Sequence, residues 1–209
     1  MLHIVWLPLW AGCSLLELSA LERSFPQAEG ELAIEGLPEP IQITRDAYGV
    51  PHLRAQTEAG AWYGLGFLHG QDRLFQADLM RRVAFGRTAA WFGPSATRFD
   101  HFIRGMRLEA LASASFEAMD APARAMLEAY TDGLNAGAAS LPAPPVEHRL
   151  LDAPFEPWSP RDCLAISFLQ SWSLSSNLRH EIAALMLAEL EPEVLDALTR
   201  TVGDTPPLD

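Results

Sequence analysis

Arg45-Asp-Ala-Tyr-Gly-Val-Pro-His-Leu-Arg-Ala55, followed by Trp62-Tyr-Gly-Leu-Gly-Phe-Leu-His-Gly-Gln-Asp-Arg-Leu-Phe-Gln76 and Asp78-Leu-Met-Arg-Arg82, is the stretch whose reading decides the fold. Ile41 to Arg45 alternates apolar and polar residues as a half-buried strand does, and Val50 to Ala55 does so less cleanly. Between them Asp46-Ala-Tyr-Gly49 suits a type I turn closed by Gly49 in the left-handed region, which glycine enters without a Cβ penalty. Pro51 has no amide hydrogen, so its strand belongs at an edge. Thr57 is placed to cap a long helix that runs through Trp62, Phe67, Phe75 and Val83 and is closed by Gly86. Gly64, Gly66 and Gly70 fall inside this helical periodicity and not between a strand and a helix start, which predicts close helix packing in place of a dinucleotide loop.

Working outward, Glu31 to Gly36 is read as a first strand, ended by the turn residues Pro38 and Pro40. Downstream come short helices over Ala89 to Phe92, Ala96 to Arg104 and Leu108 to Met119, with Gly93-Pro94 as a stop. Asp120 with Pro122 starts a further helix whose Met126, Leu127, Tyr130 and Leu134 form one apolar stripe. Leu141 to Pro157 holds five prolines and is expected to be an extended connection without regular helix. Ser159-Pro-Arg-Asp162 resembles a capping box for a helix from Pro160 to about Leu174. That helix dissolves into Ser173-Leu-Ser-Ser-Asn177 before a second one over Arg179 to Leu190, and the tail beyond Val202 is polar and proline-rich.

At 209 residues and 49% hydrophobic content the chain has ample material for a packed core. Its 15 basic and 27 acidic residues leave a net charge of −12, which repels a phosphate backbone and sets nucleic acid aside as a partner. Cys13 and Cys163 lie far apart without metal or redox spacing; buried free thiols are the favoured reading and a disulfide the alternative. Leu2 to Leu21 approaches the ~20 residues of a spanning helix. Pro8 and Glu17 interrupt it, and no Lys or Arg precedes it as a secretory signal requires. The expectation is a retained, packed segment, with a degenerate export signal as the alternative.

The six histidines make no i, i+4 metal pair, His180-Glu181 lacks the rest of a zincin signature, and neither a Gly-x-Ser-x-Gly elbow nor a phosphate loop occurs. A Ser-His-Asp set assembled from distant positions leaves no sequence trace. No residue of this chain is therefore assigned a catalytic role.

The pattern Arg45-Asp46, Gly49-Val-Pro-His52, Gly64 and Gly66, Gln71-Asp-Arg-Leu-Phe-Gln76, Arg81-Arg82, Tyr130-x-Asp-Gly-Leu-Asn135 and Trp158-x-Pro-x-Asp162 resembles, in order and wording, the light (α) chain of penicillin acylases. N-acyl-homoserine-lactone acylases and cephalosporin acylases share it, and the likeness runs from Ile41 to Leu190. The resemblance implies a mostly α chain with a short β hairpin, the light chain of an αββα N-terminal-nucleophile hydrolase heterodimer. Residues 1–39 would be a lead-in, 40–190 the light-chain domain, and 191–209 a C-terminal helix and tail near the processing site. A self-cleaving precursor would free the heavy (β) chain, whose N-terminal Ser is the nucleophile and whose α-amine, titrating near ~8, is the base. The substrates would be N-acylated small molecules such as penicillins or N-acyl-homoserine lactones.

Aligned through the break after the second-last helix, the family's acyl-pocket positions fall at Ser171, Trp172, Ser173, Leu174 and Ser175, and its light-chain calcium ligand at Glu181. Benzylpenicillin-preferring members carry Arg-Phe where Leu174 and Ser175 stand, so smaller residues here imply a longer pocket for an aliphatic acyl chain. The resemblance implies a structural calcium and no organic cofactor. It points to a periplasmic or secreted protein, while the missing clean signal leaves a cytoplasmic one open. The rival of another class is a non-catalytic helical interaction module of the same fold; a hydrolase complete within this chain ranks third.

Overall fold

Strands β1 (Gln42–Arg45) and β2 (Pro51–Arg54) pair antiparallel, Gln42 opposite Arg54 and Arg45 opposite Pro51, in the computed structural model, which describes residues 22–37, 39–175, 177–187 and 193–194. Asp46 organises the turn: its Oδ1 accepts from Tyr48 N and Val50 N, each at 2.9 Å, and Gly49 takes φ +77°. These amide hydrogen bonds, that from Val50 foremost, hold the Asp46 carboxyl below the usual range. Pro51 sits at the last pair before the turn of a two-stranded sheet, where its missing donor costs no ladder bond. Glu31 to Gly36 forms no strand; among the described residues its alternating pattern finds no ladder partner.

Helix α1 (Glu58–Asp72) starts as expected, with Thr57 Oγ1 accepting from Gly60 N at 3.0 Å. A second cap comes from the lead-in, where Glu39 Oε1 accepts from Gln56 N, Thr57 N and Thr57 Oγ1 at 2.8–2.9 Å. The expected single helix to Val83 is broken at Arg73 (φ −134°, ψ 15°), and α2 (Leu74–Ala84) begins anew. The break lets α1 keep its glycine face on a neighbouring helix while α2 turns Leu74, Asp78 and Arg81 into the interior. Gly86, at φ +59°, ends α2.

Short helices α3 (Ala89–Phe92), α4 (Thr97–Gly105) and α5 (Leu108–Ala118) follow, with a single 3₁₀ turn at Pro94–Ala96. Asp100 closes back on them, its carboxylate accepting from Thr88 N, Thr88 Oγ1 and Ala89 N at 2.6–2.9 Å. Helix α6 (Ala121–Ala139) is capped by Asp120, which accepts from Ala123 N at 2.9 Å, and it buries Leu134 completely. The connection after it is not wholly extended as expected, because α7 (Val146–Leu150) forms within it. None of the five prolines lies inside those residues, and Pro145 precedes the first helical position, where a ring is harmless.

Helix α8 (Pro160–Leu174) opens with Asp162 Oδ2 accepting from Ser159 N at 2.6 Å, and α9 (Asn177–Leu187) follows the break. The chain divides into two units, Met1–Phe168 and Leu169–Asp209, with the boundary inside α8. The segment Leu2–Leu21, Cys13 within it, and the tail beyond Val202 lie outside the described residues.

The first unit is built on α1 and α6. A Cβ placed on Gly66 would collide with the Tyr130 carbonyl oxygen and stand 2.9 Å from Leu134 N; one on Gly70 would meet the Leu134 carbonyl oxygen. From the opposite side, Gly133 and Gly137 face the carbonyl oxygens of Tyr63 and Phe67 just as tightly. Four glycines thus bring two backbones into direct contact, and no larger residue fits. Gly66→Ala and Gly133→Ala should each lower unfolding stability by about 2 kcal/mol or more through overpacking. Gly105→Ala, at a position with nothing within 4 Å, should change it by about 0.5 kcal/mol or less. Chemical denaturation of the three variants measures both, and tolerance of alanine at Gly66 and Gly133 would contradict the packing.

Candidate functional site

Two polar assemblies lie in the first unit, and the residues singled out for an acyl wall lie in the second. The first assembly is fully buried. Asp78 Oδ1 accepts from Arg81 Nε at 2.9 Å, and Oδ2 faces His148 Nε2 of α7 at 3.2 Å. Arg81 donates onward to the carbonyl oxygens of Glu156 and Pro157 at 3.0 and 3.2 Å and stands 3.7 Å from Asp162. Arg82 lies 4.1 Å over the Trp91 ring, and His148 sits edge-on to the stacked rings of Phe75 and Trp91. Burial by itself would raise the Asp78 carboxyl; hydrogen bonds from His148 and Arg81 and the charges of Arg81 and Arg82 overcome it and hold it below the usual range. Its oxygens are committed to α2 and α7, so the cluster is a brace with no open position for a reacting atom. His148 Nδ1 is buried without a hydrogen-bond partner.

The second assembly lines a groove of about 720 Å³ between α1, α2, α6 and α8. His69 Nδ1 and the Tyr130 hydroxyl are 2.8 Å apart across the α1–α6 contact. Burial pushes the Tyr130 phenol up to about 12, with the neighbouring Cys163 adding to it, and pulls His69 below its usual value. Cys163 is a free thiol, partly buried at the groove wall, and burial raises it to about 12; a protonated thiol is a poor nucleophile. The pairing of His69 with Tyr130 was missed in the sequence, where both read as core stripe. Its trace was the glycine register, because Gly66 meets the Tyr130 carbonyl and residue 69 lies nearly one turn further on.

Ser171, Trp172, Ser173 and Leu174 occupy the last turn of α8, with Ser175 just beyond it. Ser171, Leu174 and Ser175 share one face at spacings of three and four. All five are exposed, Leu174 at 74% and Trp172 at 38%. Ser173 Oγ and Ser175 Oγ donate back to the carbonyl oxygens of Gln170 and Trp172 at 2.8 and 2.9 Å, so both hydroxyls are satisfied within the helix. Glu181 is exposed on α9 and accepts from Asn177 Nδ2 at 2.7 Å. Among the described residues no three His, Cys, Asp or Glu side chains converge to hold a metal. Glu181 is suited to be one oxygen ligand of a hard cation and not to hold it alone. On α9, Ile182, Leu185 and Met186 form an apolar stripe at spacings of three and four, exposed at 48%, 75% and 78%.

A mostly helical chain carrying one hairpin and a glycine-packed helix pair has the fold of an N-terminal-nucleophile hydrolase light chain. A thermostable penicillin G acylase from Alcaligenes faecalis superposes with a TM-score of 0.63 at 28% identity, over 81% of this chain and 97% of that one. The penicillin amidase family profile matches residues 40–204, and the chain belongs to that family. It is 44% identical over 147 residues to the penicillin acylase 2 proenzyme of Pseudomonas sp. (strain SE83), covering 70% of this chain and 19% of that protein. To the acyl-homoserine lactone acylase QuiP of Pseudomonas aeruginosa it is 31% identical over 197 residues, 93% of this chain and 23% of that protein. The chain thus spans about a fifth of the length of these curated relatives.

The buried brace sets a pH dependence. Because the folded pKa of Asp78 is depressed, its contribution is present above the unfolded value of about 4 and lost as pH falls through the lower folded value. Asp78→Asn should lower stability by about 3 kcal/mol or more at neutral pH by removing the nearer of the two carboxylates that face the buried Arg81, and should flatten the acid limb of the stability curve. Denaturant midpoints between neutral and acidic pH measure both; a variant as acid-sensitive as the parent would remove Asp78 as the cause.

Proposed function

We propose that this chain is the light subunit of a heterodimeric acylase that hydrolyses the amide bond of N-acylated small molecules. The observation that carries the reading is the penicillin amidase match over residues 40–204, joined to relatives named for penicillin and acyl-homoserine lactone substrates. The exposed stripe Ile182, Leu185 and Met186 supports a partner chain, since an apolar row of this kind is stable in water only when covered. The partner, cut from the same precursor, would supply an N-terminal Ser. Its Oγ attacks the amide carbonyl while its own α-amine takes the hydroxyl proton. The tetrahedral oxyanion rests on hydrogen-bond donors, the leaving amine departs with that proton, and water then releases the acid from the acyl-enzyme.

In this reading the face of Ser171, Leu174 and Ser175, with Trp172 and Ser173 beside it, forms one wall of the acyl pocket. With Ser173 and Ser175 hydroxyls turned back onto the helix, the wall is small and largely apolar, which suits a linear acyl chain over a phenylacetyl group. Each buried methylene contributes about 0.8 kcal/mol, so kcat/KM of the two-chain protein should rise roughly threefold to fourfold per methylene from butyryl to octanoyl amides. Ser175→Phe should abolish that rise. A phenylacetyl optimum in the parent would overturn the wall assignment. Reading the coding sequence downstream of Asp209 tests the larger claim: a spacer and a Ser-initiated heavy chain are expected, and their absence from the genome would favour the interaction module.

We further propose Glu181 as one carboxylate ligand of a structural calcium completed by the partner, and export to the periplasm or beyond. Metal analysis of the two-chain protein should find calcium, and Glu181→Gln should lower its content and the melting temperature together. A parent free of calcium would remove this part of the proposal. Recovery of the protein in the cytosolic fraction would remove export.

A further inference from the structure

The hydrolysis proposed above uses no residue of the groove between α1, α2, α6 and α8, whose lining joins apolar and aromatic side chains to a few polar ones. At about 720 Å³ it lies within the range that holds a small organic molecule. Its walls are largely apolar and aromatic, with Trp62, Trp158, Met80, Leu127 and Ile166 among the lining. Arg73 is the one formally charged residue of the lining, and it is positive in a chain of net charge −12. It sits at the break between α1 and α2 with its side chain exposed, and the ion pairs of the described residues engage other arginines. Beside it, His69 Nδ1 and the partly buried Tyr130 hydroxyl lie 2.8 Å apart; with the phenol as donor, the ring hydrogen of the neutral imidazole falls on Nε2. Burial keeps that imidazole neutral, so it offers an N–H without a second charge.

We propose that this groove binds a free apolar carboxylic acid, its alkyl or aryl body along Trp62, Met80 and Trp158 and its carboxylate on Arg73. A guanidinium engages a carboxylate through two parallel hydrogen bonds, and the charge-assisted pair selects an acid over the amide or amine of the same shape. The aromatic walls and the thioether adapt to straight and ring-bearing bodies alike. The proposal stands whether or not the chain is an acylase subunit, because its test reads binding and not turnover.

The experiment uses the protein as its own gene produces it, with whatever chain copurifies. Octanoate, octanamide and octylamine are titrated calorimetrically, and a diazirine-bearing octanoate is photolysed and its adducts mapped by mass spectrometry. Octanoate should bind about tenfold or more tightly than the amide or amine, and Arg73→Gln should weaken it by about tenfold, while Arg73→Lys, which keeps the charge and loses the two-point geometry, falls between the two. An unchanged melting temperature in Arg73→Gln shows that the fold is intact. Adducts should fall on peptides containing Trp62 to Met80 or Leu127 to Trp158 and be competed by excess octanoate. Equal affinity for the amide, indifference to Arg73→Gln, or adducts confined to other peptides, as would follow if the partner chain fills the groove, overturns the proposal.

Discussion

Everything in the first unit depends on the contact of two backbones. Gly66 and Gly70 of α1 meet the carbonyls of Tyr130 and Leu134, while Gly133 and Gly137 of α6 meet those of Tyr63 and Phe67. Because each helix contributes glycines opposite the other's peptide groups, one register alone avoids collisions. That register sets His69 against Tyr130, and it leaves the outer faces of both helices to take different neighbours. The Tyr63 and Gly64 side receives the hairpin, where Leu53 lies 2.5 Å from any Cβ added at Gly64. The His69 and Tyr130 side opens as the groove. The gain from such an approach is dispersion over a long contact, and its cost is the helix propensity given up at each glycine, about 1 kcal/mol apiece.

Hydrogen bonds to charged groups then lock the parts around this pair. Arg45 and Asp72 form a two-point bridge at 2.8 and 2.9 Å between the end of β1 and the end of α1, while Glu39 caps the other end of α1. Asn135 of α6 exchanges two hydrogen bonds with the Trp158 backbone, at 2.8 and 2.9 Å. Asp78 and Arg81 hold the same stretch from α2. The residues that resemble the acylase light chains most closely are, in this structure, the ones that make these joints. They specify geometry.

What the sequence revealed follows from range. The turn at Asp46 and Gly49, the caps at Thr57, Asp120 and Asp162, and the packing role of Gly64, Gly66 and Gly70 are local chemistry and were legible. The caps from Glu39 and Asp100 join residues 11 to 18 positions apart, and the Asp78–His148 contact spans 70. No periodicity reports such pairings. The break at Arg73 left no mark because apolar residues recur at helical spacing on both sides of it. Helix α7 was hidden by the prolines that flank it. The candidate wall at 171–175 was found only through resemblance, and the structure adds that its residues lie on an exposed helix end with two hydroxyls turned inward.

The start of α8 depends on joints made far from it in sequence. The chain enters α8 through Glu156, Pro157 and Trp158, whose backbone groups are fixed by Arg81 from one side and Asn135 from the other, and Asp162 closes the first turn. The helix that starts there runs for 15 residues, about 22 Å. A buried ionic brace is a costly way to gain stability, and an apolar cluster of the same volume often does as well. It is a good way to gain direction, because Arg81 satisfies Asp78 and two carbonyls at once and so ties the extended stretch leading to α8 to α2. The brace around Asp78 therefore governs how the chain enters α8, although Asp78 and Arg81 belong to a different helix.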